Sequence, residues 1–323
     1  MGDVAILEPV LQALLKENTS LKITVLTQPF FTPIFKNLEN VTVFPFDKKG
    51  KHKGIFGLFK LHKELKKHNF TAIADVHNVL RSNILKVFFF DKNFIQIDKG
   101  RAEKKNLISK KNFKQLLTSH ERYANVFRKL GFNLSLNTPL FPKKGKLPNN
   151  ILDYLKTKID KKIIGIAPFA AHKSKMYSLE KMAIVVEKIS EQHIILLFGS
   201  KNDVDQLNNL VLNKNILNVA GQLTFSEELD TISNLNCMLS MDSGNAHLAA
   251  IYGIKVITIW GVTHPFAGFV PFNQPEDYCI LPDLEKFPQI PTSIYGNKYP
   301  EAYLNAASSI SPEEIVDRIT SIL

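Results

Sequence analysis

Short apolar runs alternate with amphipathic stretches along almost the whole of this 323-residue chain. That rhythm restricts it to β/α units wound around parallel sheets, because a parallel strand can return only through a crossover. In the first half, strands are expected at residues 23–26, 41–44, 72–76 and 94–97, with helices over 4–16, 59–67, 79–87 and 122–130. Composition then changes: Pro139-Leu-Phe-Pro-Lys-Lys-Gly-Lys-Leu-Pro148-Asn-Asn is rich in Pro, Gly and Lys, the mark of an interdomain linker. The rhythm restarts with strands at 163–167, 194–198, 236–241 and 256–260, and with helices from about 179, 204 and 244. Residues 261–310 are loop-rich, and Ser311-Pro-Glu-Glu314 opens a last helix with a capping Ser, an early Pro and early acids. The expected fold is α/β, with two Rossmann-like doubly wound domains over 1–147 and 148–310. The closing helix, 311–323, is expected to pack back on the first. A ligand then belongs in the cleft at the carboxyl ends of the two sheets.

Composition narrows the function classes. Hydrophobic residues are 45% and charged residues 22% of the chain, an ordinary globular balance. No apolar stretch reaches the roughly 18 residues of a spanning helix; the run 87–90 is bounded by Lys86 and Asp91. The start has no basic signal-peptide region, and two cysteines, Cys237 and Cys279, support neither a disulfide framework nor a thiolate metal site. A cytoplasmic address is expected. The net charge of +11 is unevenly spread. Residues 1–150 carry 27 Lys/Arg against 11 Asp/Glu, whereas residues 151–323 carry 14 against 19. A basic first half suits an anionic partner such as a phosphorylated lipid, a membrane face or nucleic acid, although solvated lysines give the same count.

Four segments carry chemistry. Met241-Asp-Ser-Gly-Asn-Ala-His-Leu-Ala249 follows a strand and opens a helix, so Gly244 and the helix N-terminus can face a diphosphate. Asp242 and Ser243 can cap that helix, and His247 lies one turn in; a plain capped helix has the same pattern. Trp260-Gly-Val-Thr-His-Pro-Phe-Ala-Gly268 leaves the next strand and brings Thr263 to the cleft end. Ala167-Pro-Phe-Ala-Ala-His-Lys-Ser-Lys175 leaves another, and Lys173 and Lys175 can supply point charges to phosphate. In the first half, Gly2-Asp3-Val starts an amphipathic helix, and Asp3 reads either as a helix cap or as a general base aimed into the cleft.

Taken in order, Gly-Asp-Val with Pro9-Val, Asp75-Val-His-Asn-Val-Leu-Arg81-Ser, the Lys175-Met-Tyr loop, Asp-Ser-Gly-Asn-Ala-His-Leu-Ala and Trp-Gly-Val-Thr-His-Pro resemble glycosyltransferase family nine, the bacterial lipopolysaccharide heptosyltransferases. The likeness runs on through Pro291-Thr-Ser-Ile-Tyr-Gly-Asn297-Lys. It implies GT-B architecture, with the acceptor held mainly by the first domain and the nucleotide sugar, typically ADP-heptose, by the second. By motif position it makes Asp3 the catalytic base. Lys175, Asp242, Ser243, Gly244, His247 and Thr263 become the donor site, and Arg81 and Arg122 the acceptor-phosphate contacts. It further implies a phosphorylated glycolipid acceptor, peripheral contact with the cytoplasmic face of the inner membrane, and no metal or cofactor beyond the sugar nucleotide. Two positions depart from the pattern: Tyr177-Ser178 stands where an aromatic-Pro pair is usual, and cysteines expected beside Tyr295-Gly-Asn are absent.

The alternatives are a non-catalytic sugar-nucleotide-binding homologue and a nucleic-acid binder resting on charge alone. A hydride-transfer enzyme is disfavoured because no G-x-G-x-x-G follows a strand. A doubly wound domain ordinarily opens with a central strand, yet the first helix begins within a few residues of Met1. An upstream β-strand in the native protein is therefore expected, with a shortened homologue as the alternative.

Overall fold

The computed structural model describes residues 1–158 and 160–323. Contacts divide the chain into two units. The first holds residues 3–101 and 119–140, and the second holds 102–118 and 141–323. The division departs from the expected boundary at 147 because two segments have their apolar partners in the second unit. Leu107 and Leu116 cluster with Ala267, the Leu116 N–H donates to Phe266 O at 2.9 Å, and the Phe141 ring meets Phe272 with centroids 6.5 Å apart.

In the first unit, α1 (Gly2–Glu17) leads to β1 (Ile23–Thr27) and β2 (Val41–Pro45), followed by α2 (Gly54–Lys66), β3 (Ala72–Asp75), α3 (Leu80–Phe88) and β4 (Asn93–Gln96). After α4 (Arg101–Ile108), which belongs almost wholly to the second unit, α5 (Ser119–Lys129) completes the first. The expected alternation is present, but the strands pair two by two. Val25 lies level with Val43, and Ile73 with Phe94, both in parallel, and among the described residues no ladder joins the two pairs. Each pair therefore keeps an open backbone edge, and most residues in these strands are only part-buried.

In the second unit, α6 (Asn149–Leu155) precedes β5 (Ile163–Ala167), α7 (Leu179–Ser190), β6 (Ile194–Leu197), α8 (Val204–Asn208) and β7 (Ile216–Asn218). Then come α9 (Phe225–Ile232), β8 (Cys237–Met241), α10 (Gly244–Ile251), β9 (Lys255–Ile259), β10 (Cys279–Ile280) and α11 (Pro312–Ile322). The strands form one parallel sheet in the order β10-β9-β8-β5-β6-β7. Helices cover both faces, so β6 and β8 are buried at every residue, as near-continuous apolar runs require. The α11 helix is capped by Ser311, whose Oγ accepts the Glu314 N–H at 3.1 Å, and it buries Ile315, Ile319 and Ile322 in the core of this same unit beside α7. The expectation that it packs back on the first domain is thereby corrected: its apolar face matches the α7 side of the sheet. Among the described residues no helix is long and apolar enough to cross a membrane.

Glu8 is fully buried in α1, and neither carboxylate oxygen has a hydrogen-bond partner. Burial pushes its pKa up to about 8, from an ordinary value of 4.5. Below pH 4.5 the carboxyl is protonated in both folded and unfolded chains and costs nothing. As pH rises towards 8 the unfolded chain releases the proton while the folded one retains it, so stability falls across that window. Glu8→Gln is expected to stabilise the protein by roughly 1–4 kcal/mol at pH 8 and to be neutral near pH 4.5. Denaturant titrations at the two pH values check this, and an equal effect at both would place the cost elsewhere.

Candidate functional site

The second-unit sheet winds in both directions from β5, towards β6 on one side and β8 on the other. Crossovers that leave in opposite directions cannot close over the strand ends between them, so a crevice opens beyond the carboxyl ends of β5 and β8. The strands end nearly level there, with Ala167 beside Ser240 and Met241 beside Ile259.

The sequence placed Lys175, Asp242 and Thr263 on three separate loops, and the structure joins them at one oxygen. Lys175 Nζ lies 2.7 Å from Asp242 Oδ2, and Thr263 Oγ1 donates to the same oxygen at 2.8 Å. All three side chains are largely buried, so the carboxylate is held by one charge-assisted and one neutral hydrogen bond away from bulk water. The expectation that Asp242 and Ser243 cap α10 is corrected. Asp242 is committed to Lys175 and Thr263, while Ser243 Oγ lies 3.1 Å from Ser240 Oγ and makes no cap bond. The first-turn N–H groups of α10, beginning at Gly244, therefore have no side-chain cap, and they carry the positive end of the helix dipole. His247 is buried in that first turn.

A second layer fixes Lys175. The Val262 N–H donates to Ser174 O at 3.1 Å, the Thr292 N–H donates to Val262 O at 3.0 Å, and Ser174 Oγ donates to Gly296 O. Gly296 has φ +82°, and a Cβ there would stand 2.7 Å from Cγ and Cδ of Lys175. Gly261 is as constrained, since its Cβ would meet Ser174 O at 2.1 Å. The sequence alone assigns no role to residues 291–298, although the Tyr-Gly-Asn tripeptide is a turn signal. The neighbouring His264 is structural. Its Nδ1 accepts the Phe266 N–H at 3.1 Å, and burial, aided by Lys110, lowers its pKa to about 4 and keeps it neutral.

The first unit contributes a different arrangement. Asp3 sits in the first turn of α1 but caps nothing, since Met1 is the N-cap residue, and its side chain is 62% exposed. Its Oδ2 lies 3.8 Å from His77 Nε2. His77 had been read only as part of a motif, and it is set by Asp75, whose Oδ1 accepts the N–H groups of His77 at 3.0 Å and Asn78 at 2.8 Å. Arg81 is exposed on the first turn of α3, with its guanidinium carbon 5.9 Å from the Phe46 ring centroid. Arg122 is not available in the same way. It is buried, donates to Asp98 O at 3.4 Å, and underlies Gly100, where a Cβ would strike its guanidinium at 2.3 Å. Among the described residues no group of three or more His, Cys, Asp or Glu side chains could hold a metal ion.

Two Rossmann-like units, with a lysine and an uncapped helix N-terminus at a switch point, define a GT-B type glycosyltransferase fold. Solved structures agree. The chain superposes on the glycosyl transferase family 9 protein of Veillonella parvula with a TM-score of 0.75 at 17% identity, covering 99% of this chain and 94% of that one. It superposes on the E. coli heptosyltransferase WaaC with ADP with a TM-score of 0.68 at 16% identity, covering 100% and 97%. In sequence it is 23% identical to lipooligosaccharide heptosyltransferase 2 of Campylobacter jejuni over all of this chain and 96% of the relative. The model of glycosyltransferase family 9 (heptosyltransferase) matches residues 58–291, and the chain belongs to that family.

Inorganic pyrophosphate tests, without a sugar, whether Lys175 and the α10 N-terminus hold an anion. Lys175→Ala is expected to weaken pyrophosphate binding about tenfold or more, and Gly296→Ala to weaken it by displacing the lysine stem. Isothermal titration tests both; unchanged affinity in both variants would remove the anion from this loop.

Proposed function

We propose that this protein is an inverting glycosyltransferase that moves a heptose-type sugar from ADP-heptose to a phosphorylated inner-core or lipid A acceptor. The observation that carries the donor half is the Lys175–Asp242–Thr263 cluster beside the uncapped start of α10. Two of the relatives named above are heptosyltransferases, and the solved structure of one of them contains ADP. The sugar nucleotide is the one co-substrate this reading needs.

The reaction is a single displacement at the anomeric carbon. The acceptor hydroxyl oxygen bonds to that carbon on the face opposite the diphosphate, and the carbon–oxygen bond to the diphosphate breaks with its electron pair passing to the leaving oxygen. Asp3, solvent-facing, takes the hydroxyl proton. Lys175 meets the charge that grows on the departing diphosphate, assisted by the α10 dipole and first-turn N–H groups. Asp242 and Thr263 hold Lys175 and the loop after β9 in place. His247 and Ser243 complete the donor side, and Arg81 is the first unit's contact for an acceptor phosphate. The buried Arg122 supports the 98–100 turn instead of reaching substrate. A lipid-linked acceptor sets the reaction at the cytoplasmic face of the inner membrane.

Asp3→Asn is expected to leave ADP affinity within about twofold and to lower transfer by about a hundredfold or more. Wild-type turnover in that variant would exclude Asp3 as the base. Arg81→Ala is expected to raise KM for a phosphorylated acceptor more than for its dephosphorylated counterpart, since a guanidinium gains most from a charged oxygen. Steady-state kinetics on the matched pair of acceptors distinguishes this from a general loss.

A further inference from the structure

The first unit carries an apolar surface that the transfer chemistry does not use. Helix α2 buries Gly57, Leu58, Leu61 and Leu65 and turns Ile55, Phe56 and Phe59 outward, with Phe56 at 87% exposure. Helix α3 buries only Leu85. Leu80, Val87 and the following Phe90 stand 76%, 69% and 88% exposed on its outer side. Leu80 and Val87, seven residues apart, share one helical face, and Phe90 follows just beyond the C-cap Phe89. Phe59 and Phe88 meet edge to face with centroids 5.7 Å apart, which makes the two outer faces one surface. Isolated exposed apolar residues are ordinary, but six large ones on two packed helices are a patch that water disfavours.

Cations border this patch. Between residues 47 and 92 there are eleven Lys/Arg against four Asp/Glu. Lys49 and Lys53 lie on the loop entering α2, while Lys60, Lys66 and Lys67 follow along and beyond its exposed side. The carboxylates are committed elsewhere. Asp47 accepts N–H groups of its own loop from Lys49, Gly50 and Lys51; Glu64 pairs with Lys51 at 2.8 Å; Asp91 pairs with Lys92 at 3.5 Å; and Asp75 is turned inward to the loop before α3. Lys63 lies 4.7 Å from the Phe59 ring centroid, so cation and aromatic adjoin within the same surface.

We propose that the α2–α3 face is a membrane-docking surface, which seats Phe56, Phe59, Val87 and Phe90 in the interfacial region of an anionic bilayer while the surrounding lysines meet lipid phosphates. This rests on the membrane-linked acceptor of the proposed function and names the surface that makes the contact. Apolar side chains gain from leaving water at the acyl boundary, and each lysine near an anionic leaflet adds to the attraction. A second copy of the chain is a poorer occupant, because a twofold interface would set one lysine border against the other. Arg81 follows Leu80 directly, so an acceptor phosphate held there lies at the edge of the docked face.

The test uses the full chain and sedimentation with sucrose-loaded vesicles, either mixed phosphatidylglycerol and phosphatidylcholine or pure phosphatidylcholine. Wild type is expected to bind the anionic vesicles, to bind pure phosphatidylcholine weakly, and to release as salt is raised. The double variant Phe56→Ser/Phe90→Ser is expected to lose at least about tenfold in vesicle affinity. Its melting temperature and its hydrolysis of ADP-heptose in solution should be unchanged, since both side chains are exposed. Lys49→Glu/Lys53→Glu should weaken binding to anionic vesicles alone, and Lys143→Glu/Lys144→Glu, in the linker, should not. Wild type that ignores anionic vesicles, or a Phe double variant that binds them normally, overturns the proposal. So does concentration-dependent dimerisation that the same double variant abolishes, which would assign the patch to a second copy. Vesicle binding without any sugar transfer would fault the enzymatic reading and leave the surface standing.

Discussion

A parallel sheet that winds outward in both directions from one strand must leave an opening where its crossovers part, and the site of the second unit depends on that constraint. It lies between β5 and β8, and the loops that carry Lys175, Asp242 and Thr263 each leave a strand at or next to it. Near-complete burial of the flanking strands makes the opening reproducible: residues packed on both faces of a sheet cannot slide in register without exposing the core. The loops are therefore anchored at their roots, and short polar contacts suffice to set their tips.

Asp242 is the junction of those tips. One of its oxygens holds both a lysine from the loop after β5 and a threonine from the loop after β9, so three segments distant in sequence share one acceptor. A part-buried pair of this kind adds little net stability, yet stranding either charge costs about 3–5 kcal/mol. Its value lies in orientation. Lys175 is held on Asp242, with its stem lying against Gly296, and the first-turn N–H groups of α10 carry no side-chain cap bond. Groups held in this way are ordered before any ligand arrives.

The first unit is built differently. Its strands make two separate parallel pairs and are only part-buried, while α1 takes a fully buried carboxyl, Glu8, into its packed face. Its polar and apolar features of note sit at helix starts and on exposed faces: Asp3 beside His77 at the start of α1, Arg81 at the start of α3, and the apolar, lysine-bordered outer side of α2 and α3.

The sequence by itself determined the class of fold, because strand and helix periods and their alternation are local properties and a parallel strand allows few topologies. It also determined Lys175, Asp242, Gly244 and Thr263 as residues at strand ends, since each follows an apolar run. It placed Asp3 at a helix start but left it between cap and base. Only the tertiary structure decided that Asp242 serves Lys175 instead of capping α10, and that Gly296, 121 positions downstream, shapes the lysine. It decided too that Arg122 is buried and Arg81 is not, that residues 102–118 and the last helix belong to the second unit, and that the exposed faces of α2 and α3 join. Each of these depends on which side chain arrives opposite another across a distance in sequence. Local periodicity has no term for that; packing does.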